Sequence, residues 1–228
     1  MGVEEIILRQ APQENPDETL DRFSRFLANF PDAHVRRRPD EIIRDVIGHG
    51  TLFFCENSAG EIVATTAFYL YGERKAAWGE IGSSLVHPSY RGARLQGTMY
   101  SHILPLMYFS DWPERGVLAV TDVDALASII SMGRVGFEEI RSIPQDIASL
   151  ATARGWSKIL SGEKRLFVLP KAAIVGSLRF VLNNGKYHPV MNKHGETRYY
   201  VRVDFRYLDQ SGLREALREE IDRLESTQ

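Results

Sequence analysis

The sequence predicts an α/β fold, and three observations carry that prediction. Residues 51–56, 62–71 and 78–87 are β-rich runs divided by turn residues, among them Asn57, Ser58 and Gly60. Runs at 116–121, 135–140 and 164–169 alternate with helical patterns at 125–132 and 144–154, the order of an α/β unit. Between these regions, residues 85–98 pass from a strand through Pro88 and a glycine-containing turn directly into a helical pattern.

Each element has its own reason in the sequence. Residues 3–8 include a short β-rich run, after which Leu20, Phe23, Phe26, Leu27 and Phe30 recur at helical spacing. Ile42, Ile43, Val46 and Ile47 repeat the pattern until Gly48 and Gly50 stop it. Leu95, Met99, Ile103 and Met107 stand at four-residue steps, and Pro105, which lacks an N–H, is expected to kink this helix or end it early. The continuous apolar run at 116–121 suits a fully buried strand. Residues 183–195, rich in Gly, Asn and His, read as loop. Tyr199, Val201, Val203, Phe205 and Tyr207 then alternate with polar neighbours, and Leu213, Leu217, Ile221 and Leu224 close the chain as an amphipathic helix. A strand of this quality either prolongs the sheet or pairs with a second subunit, so a homodimer is one expectation.

With 228 residues, 43% of them hydrophobic and 25% charged, the composition is that of a soluble globular protein, which excludes disorder and fibre. The length allows one large domain or a domain with an extension. Lys and Arg total 28 against 30 Asp and Glu, a net charge of -2, so the chain as a whole offers no field for nucleic acid or an anionic membrane. No apolar run approaches the roughly 20 residues of a membrane-spanning helix, and the acidic N-terminus has no apolar signal core. Cys55 is the single cysteine, so no internal disulfide forms; the expectation is a cytoplasmic location, although a secreted protein with one cysteine would look the same.

Chemistry concentrates in Leu85-Val86-His87-Pro88-Ser89-Tyr90-Arg91-Gly92-Ala93-Arg94-Leu95-Gln96-Gly97-Thr98. A turn that leads straight into a helix aims unpaired backbone N–H groups and the positive end of the helix dipole at one point. Gly92 and Gly97 are small where backbone must approach an anion, and Arg91 and Arg94 add charge, so the segment suits a phosphate group. A plain strand-to-helix turn with surface arginines is the alternative. Neither the Gly-Lys-Ser/Thr ending of a P-loop nor the three spaced glycines of a dinucleotide fingerprint occurs.

The run Val-x-Pro-x-Tyr-Arg-Gly followed by a helix resembles the acyl-coenzyme A loop of the GNAT superfamily of N-acyltransferases. Gly136-Phe137, after the strand at 116–121 and a helix, is similar to that family's Gly-Phe at its next strand, and the resemblance covers roughly residues 3–170. It implies a mixed, mostly antiparallel central sheet flanked by helices. A GNAT-like core would occupy residues 1–170, and residues 171–228 would form a C-terminal strand and helix extension packed on or continuing that core. The implied activity is N-acyl transfer, first of all of acetyl, from acetyl-CoA or another acyl-CoA to an amine of a small molecule or peptide, by direct attack in a ternary complex and without a metal.

By the same resemblance, the amides of Arg91, Gly92, Ala93, Arg94, Leu95, Gln96 and Gly97 hold the coenzyme's pyrophosphate, and Thr98 adds a hydroxyl. Leu85 and Val86 pair through their backbones with the pantetheine arm, and Ser128 contacts it from the following helix. A strand amide near the thioester carbonyl then stabilises the developing oxyanion. Arg94 replaces the middle glycine of the family loop. Ala125, with Asp124 beside it, replaces an Asn that often contacts pantetheine, and Met132 replaces the Tyr that protonates the leaving thiolate. These departures favour a second reading, a noncatalytic acyl-coenzyme A binding or sensor protein with the same fold.

Acyl transfer needs a neutral amine, so a carboxylate or His near the thioester commonly takes a proton. Glu80, between Trp78 and Ile81, resembles in position the general-base glutamate of the family's histone-modifying branch. Apolar surroundings would raise its pKa; on an alternating strand, the other reading is that it faces solvent. For the acid, Ser131, Tyr108 or a water substitutes, or the thiolate leaves unassisted. Cys55 reads as a small core residue, His87 as a packing or solvated side chain, and His188 and His194 as loop residues without metal-ligand spacing. The arginines at 36–38 read as a solvated turn, with contact to an acidic substrate or the coenzyme's 3′-phosphate as the alternative. Phe23, Phe26, Phe30 and Trp156 either line an acceptor pocket or pack in the core.

Overall fold

The computed structural model describes residues 3–30, 37–72, 77–153 and 156–227; Arg36 of the basic run lies outside them. The first strand, β1 (Glu4–Gln10), is followed by two helices, α1 (Pro16–Ala28) and α2 (Asp40–Gly48). Asn15 caps α1 by accepting the Glu18 N–H, and Pro16 takes the first helical position, where its missing donor is harmless. Three antiparallel strands come next, β2 (Leu52–Glu56), β3 (Ile62–Tyr71) and β4 (Trp78–Val86), then α3 (Leu95–Asp111), β5 (Val117–Asp122), α4 (Leu126–Arg134) and β6 (Glu138–Ile140). Helices α5 (Gln145–Ala153) and α6 (Ser157–Leu160) lead to β7 (Lys164–Leu169), and the chain ends with α7 (Val175–Asn184), β8 (Tyr187–Met191), β9 (Thr197–Asp204) and α8 (Leu213–Glu225).

The strands form one sheet in the order β6-β7-β5-β4-β3-β2-β1-β9-β8. Only β1 with β9 and β4 with β5 are parallel pairs, so the sheet is mixed and mostly antiparallel. Two apolar layers cover it. On one face α3, α4, α7 and α8 pack on residues such as Leu8, Phe53, Phe68, Val117 and Val201; on the other, α1, α2, α5 and α6 pack on Leu52, Phe54, Tyr69, Leu118 and Leu166.

Three expectations are corrected. Pro105 does not end α3, which runs on to Asp111; the helix buries Met99, Ile103, Leu104 and Met107, each worth about 2 kcal/mol, against about 3 kcal/mol for one interior proline. Residues 183–195 are not a single loop: β8 occupies their middle, with alternating burial that places His188 and Val190 inside. The strand expected at 135–140 is shorter, because Gly136 has φ +96° and an added Cβ would stand 2.9 Å from the Ala173 carbonyl oxygen, so the chain turns there before β6 starts. β9 prolongs the sheet, one of the two arrangements expected of it, and has no free edge. It lies between β1 and β8, and the outer edge belongs to β8, where Pro189 removes a backbone donor.

Candidate active site

Although β4 has nine residues and β5 six, they are registered at two positions alone, Gly79 with Val117 and Glu80 with Leu118. Beyond these pairs the strands diverge, and a cleft of about 1150 Å³ opens between them. Leu95, Gln96 and Met132 line it on the α3 face of the sheet, Trp156 and Ile159 on the α2 face, so the opening passes through the sheet. β4 also carries a bulge: Thr65 faces Leu85 and Ala67 faces Gly82, leaving one residue of β3 against two of β4, and Ser83 takes φ +50°. Thr65 Oγ1 donates to the Ser83 carbonyl at 3.0 Å, and the Tyr69 and Ser83 hydroxyls meet at 2.5 Å, which holds the bulge in place.

At the α3 end lies the segment expected to take an anion. Pro88–Tyr90 form a short 3-10 turn, and His87 Nδ1 accepts the Ser89 N–H at 3.2 Å while its ring packs edge-on to Phe30 and Tyr90. Gly92 has φ +82° with open space around it, so backbone conformation and not room calls for glycine. Arg94 precedes α3 in the same left-handed region, φ +61° and ψ +19°. That conformation costs a side-chain-bearing residue about 1–2 kcal/mol, which is the physical reason a glycine suits this position. Thr98 N–H is the first to reach a helical carbonyl, that of Arg94 at 3.0 Å, so the amides of Leu95, Gln96 and Gly97 precede the helical ladder. These open donors beside Arg91 and Arg94 fit a pyrophosphate, and the diverging edge of β4 fits an extended arm.

Glu80, Leu85, Val86, Arg91, Gly92, Arg94, Leu95, Gln96 and Ser128 all line the cleft. Ala93 and Thr98 are buried under the turn, so the hydroxyl expected from Thr98 does not face the opening, and Gly97 is also off its wall. Arg91 Nε donates to the Val86 carbonyl at 3.0 Å and so ties the turn to the end of β4. In mid-cleft a hydrogen-bonded chain links three elements: Tyr100 donates to Ser84 Oγ at 2.9 Å, Gln96 Nε2 donates to Tyr100 at 2.8 Å, and Ser128 Oγ lies 3.5 Å from Gln96. Burial raises the Tyr100 pKa, so this hydroxyl stays protonated. Of the acid candidates, Ser131 lines the cleft and donates to the Ala127 carbonyl at 2.8 Å. Tyr108 does not line it; its hydroxyl bonds Glu220 of α8.

The opposite end holds the main departure from expectation. Glu80 is neither solvent-facing nor in apolar surroundings: Arg38 Nη2 donates to both its oxygens, at 2.6 and 2.7 Å, and the Tyr71 hydroxyl donates to Oε2 at 2.5 Å. The side chains of Arg38 and Glu80 are each 6% exposed, which corrects the reading of Arg38 as part of a solvated turn. The Arg38 guanidinium lies 4.7 Å from the Tyr69 ring centre and 6.0 Å from that of Trp156. Burial works to lower its pKa, but Glu80, Tyr71 and Tyr69 outweigh that and leave it raised. Burial and then Glu80 push the Tyr71 hydroxyl up, and burial pushes Tyr69 up to about 12, so both remain donors. Sequence reasoning missed Tyr71, Ser83, Ser84 and Tyr100, and gave Arg38 a contact with an acidic substrate only as the alternative to a solvated turn. Burial of a charged residue from a polar run leaves no local signal; a bulge leaves at most the doubled serine. Cys55 is wholly buried, and burial raises its thiol pKa, as befits a core residue. Trp156 lines the cleft, whereas Phe23 belongs to the core.

No family model matches the chain, and no curated protein matches it. Solved structures do. N-acetylglutamate synthase from Neisseria gonorrhoeae, solved with coenzyme A and N-acetyl-glutamate, is 14% identical over 72% of this chain with a TM-score of 0.51, and the chain spans 34% of that protein. The NatC complex bound to Gag peptide and CoA is 13% identical over 73% of this chain and 98% of the other, with a TM-score of 0.53. An acetyltransferase of the GNAT family from Staphylococcus aureus Mu50 is 13% identical over 72% of this chain and 98% of its own, with a TM-score of 0.50. The likeness is one of fold: the chain has the architecture of the GNAT acetyltransferases. No helix among the described residues is long and apolar enough to cross a membrane.

Proposed function

We propose that this protein is an acyl-coenzyme A-dependent N-acyltransferase, using acetyl-CoA first of all and acting on an amine of a small molecule or peptide by direct attack. The observation that carries the proposal is the parting of β4 from β5, with open amides and arginines at one end and a buried carboxylate at the other. The coenzyme supplies an activated acyl carbon. In this reading the amides of Leu95 and Gln96, with Arg91 and Arg94, hold the pyrophosphate. Leu85 and Val86 pair with the pantetheine arm, and a β4 amide near the bulge stabilises the oxyanion. Glu80 takes the amine proton. Its Oε1 accepts one hydrogen bond from Arg38, which leaves a lone pair for an ammonium or a water. Calorimetric titration with acetyl-CoA, followed by thiol release with a panel of amines, tests this; an absence of binding sinks it.

A specific observation favours the sensor reading: Met132 is buried in the cleft wall where an acid would stand, and Glu80 is clamped by Arg38. Saturable acetyl-CoA binding with no thiol released by any amine would establish it instead.

A further inference from the structure

A buried ion pair is an expensive way to build a cleft wall. Taking a guanidinium and a carboxylate out of water offsets most or all of their mutual attraction, and an apolar pair of similar volume stabilises a fold at least as well. Arg38 and Glu80 nevertheless stand together in the wall of the cleft, beside Trp156. Their donors and acceptors are only partly used on each other. Glu80 engages Nη2 of Arg38 alone, out of a guanidinium with five N–H donors in one plane, and Oε1 of Glu80 accepts a single bond. The wall therefore presents a positive and a negative group less than 3 Å apart, each with capacity left for a ligand.

An α-amino acid carries the complementary pattern, an ammonium and a carboxylate on the same carbon. A lysine side chain, a polyamine or a peptide N-terminus brings the ammonium to Glu80 without a carboxylate beside it, and so leaves the remaining donors of Arg38 without an acceptor.

Resting on the acyltransferase reading above, we propose that the acceptor is a free α-amino acid, held with its carboxylate on Arg38 and its ammonium on Glu80 Oε1. Arg38 is then a specificity-determining residue as well as the partner of the base. In the transfer, Glu80 takes one proton from the ammonium, and the freed nitrogen attacks the thioester carbon. The C–N bond forms as the C–S bond breaks. The second nitrogen proton ends on the departing sulfur, giving the coenzyme thiol, and Glu80 returns its own proton to solvent.

The test compares the common free L-α-amino acids with their carboxamides and with short peptides as acceptors, using the full chain, acetyl-CoA and thiol release. The carboxamides match the acids in size and retain the amine but lack the carboxylate charge. Free amino acids should be acetylated, and the carboxamides should lose roughly 10- to 100-fold in kcat/KM, mostly through KM, as the loss of a charge-assisted bidentate contact predicts. Arg38→Lys should erase most of that preference while raising KM for the acids. Should Arg38→Lys fail to fold, by its melting curve, the acid-to-carboxamide ratio of the unaltered protein decides alone. Carboxamides or peptides serving as well as the free acids overturn this proposal and leave the acyltransferase reading standing, as does thiol release only with other amines of a wider panel; thiol release with no amine at all overturns both.

Discussion

Two clusters of ionisable side chains are buried on opposite faces of the sheet, and the fold treats them in opposite ways. On the α2 face, Arg38 and Glu80 pair with each other, and Tyr71 donates a further hydrogen bond to Glu80. On the α3 face, His102 of α3 and His188 of β8 stack with ring centres 5.2 Å apart, Phe180 of α7 lies edge-on to both, and none of their four ring nitrogens has a hydrogen-bond partner among the described residues. Burial, with a further push from His188, lowers His102 to about 3, and burial lowers His188 to about 4. The histidines are thus carried as neutral aromatic filler where α3 meets the C-terminal strand, whereas the arginine and glutamate are carried as charges. A charge survives burial here beside its partner: Arg38 with Glu80 in the wall of the cleft, and Glu56 of β2 with Arg9 and Arg22 away from it.

The largest effect expected on that contrast comes from Glu80→Gln. It removes the proposed base, so thiol release with an accepted amine should fall by about 10²–10⁴-fold at neutral pH and recover in part at high pH, where the amine is already neutral. It also leaves the Arg38 charge buried and unpaired, at a cost of about 3–5 kcal/mol in a denaturant melt. An unchanged rate profile removes Glu80 from the mechanism.

Acidification probes the other cluster. An unfolded histidine takes up its proton near pH 6.5, but folded His188 and His102 wait until about 4 and 3, so below 6.5 the unfolded chain binds more protons. Their contribution is complete above pH 6.5 and is lost as the pH falls towards those folded values, on the order of 1 kcal/mol per pH unit for each histidine. Melts at neutral pH and at about pH 5 measure it. His188→Phe sharpens the comparison: it keeps an aromatic ring against Phe180 and should remove about half of that acid loss, with stability at neutral pH held or improved. The same acid loss in the variant as in the parent protein would show that the histidines are not its source.

The smallest expected effect tests the turn before α3. Arg94→Gly relieves the left-handed strain and should stabilise the fold by about 1 kcal/mol, a rise of roughly 2–4 °C in Tm. A lower Tm would mean that the arginine side chain holds the turn more firmly than its backbone strains it.

Legibility differed along the same line. The turn from Pro88 to Gly97 was readable because its chemistry is backbone chemistry: a proline, glycines and a helix start act within a few residues of one another. The arginine and glutamate pair was not, because its members are 42 residues apart and meet across two elements. Arg38 in particular sits in a basic run, and such a run reads as solvated until a carboxylate and two aromatic rings are placed over it. His188 was hidden in the same way. A stretch rich in Gly, Asn and His looks like loop, and only the hydrogen bonds of β8 to β9 make it a strand.

The sequence by itself determined the order of the strands from β1 to β7, the central apolar segments and the tight turn from Pro88 into α3, since each follows from periodicity or from local backbone demands. Tertiary structure alone decided the parting of β4 from β5, the bulge at Ser83, the place of β9 beside β1 and the pairing of Arg38 with Glu80. Those depend on which strands become neighbours and on how water is excluded between them, and neither property is carried by any single stretch of chain.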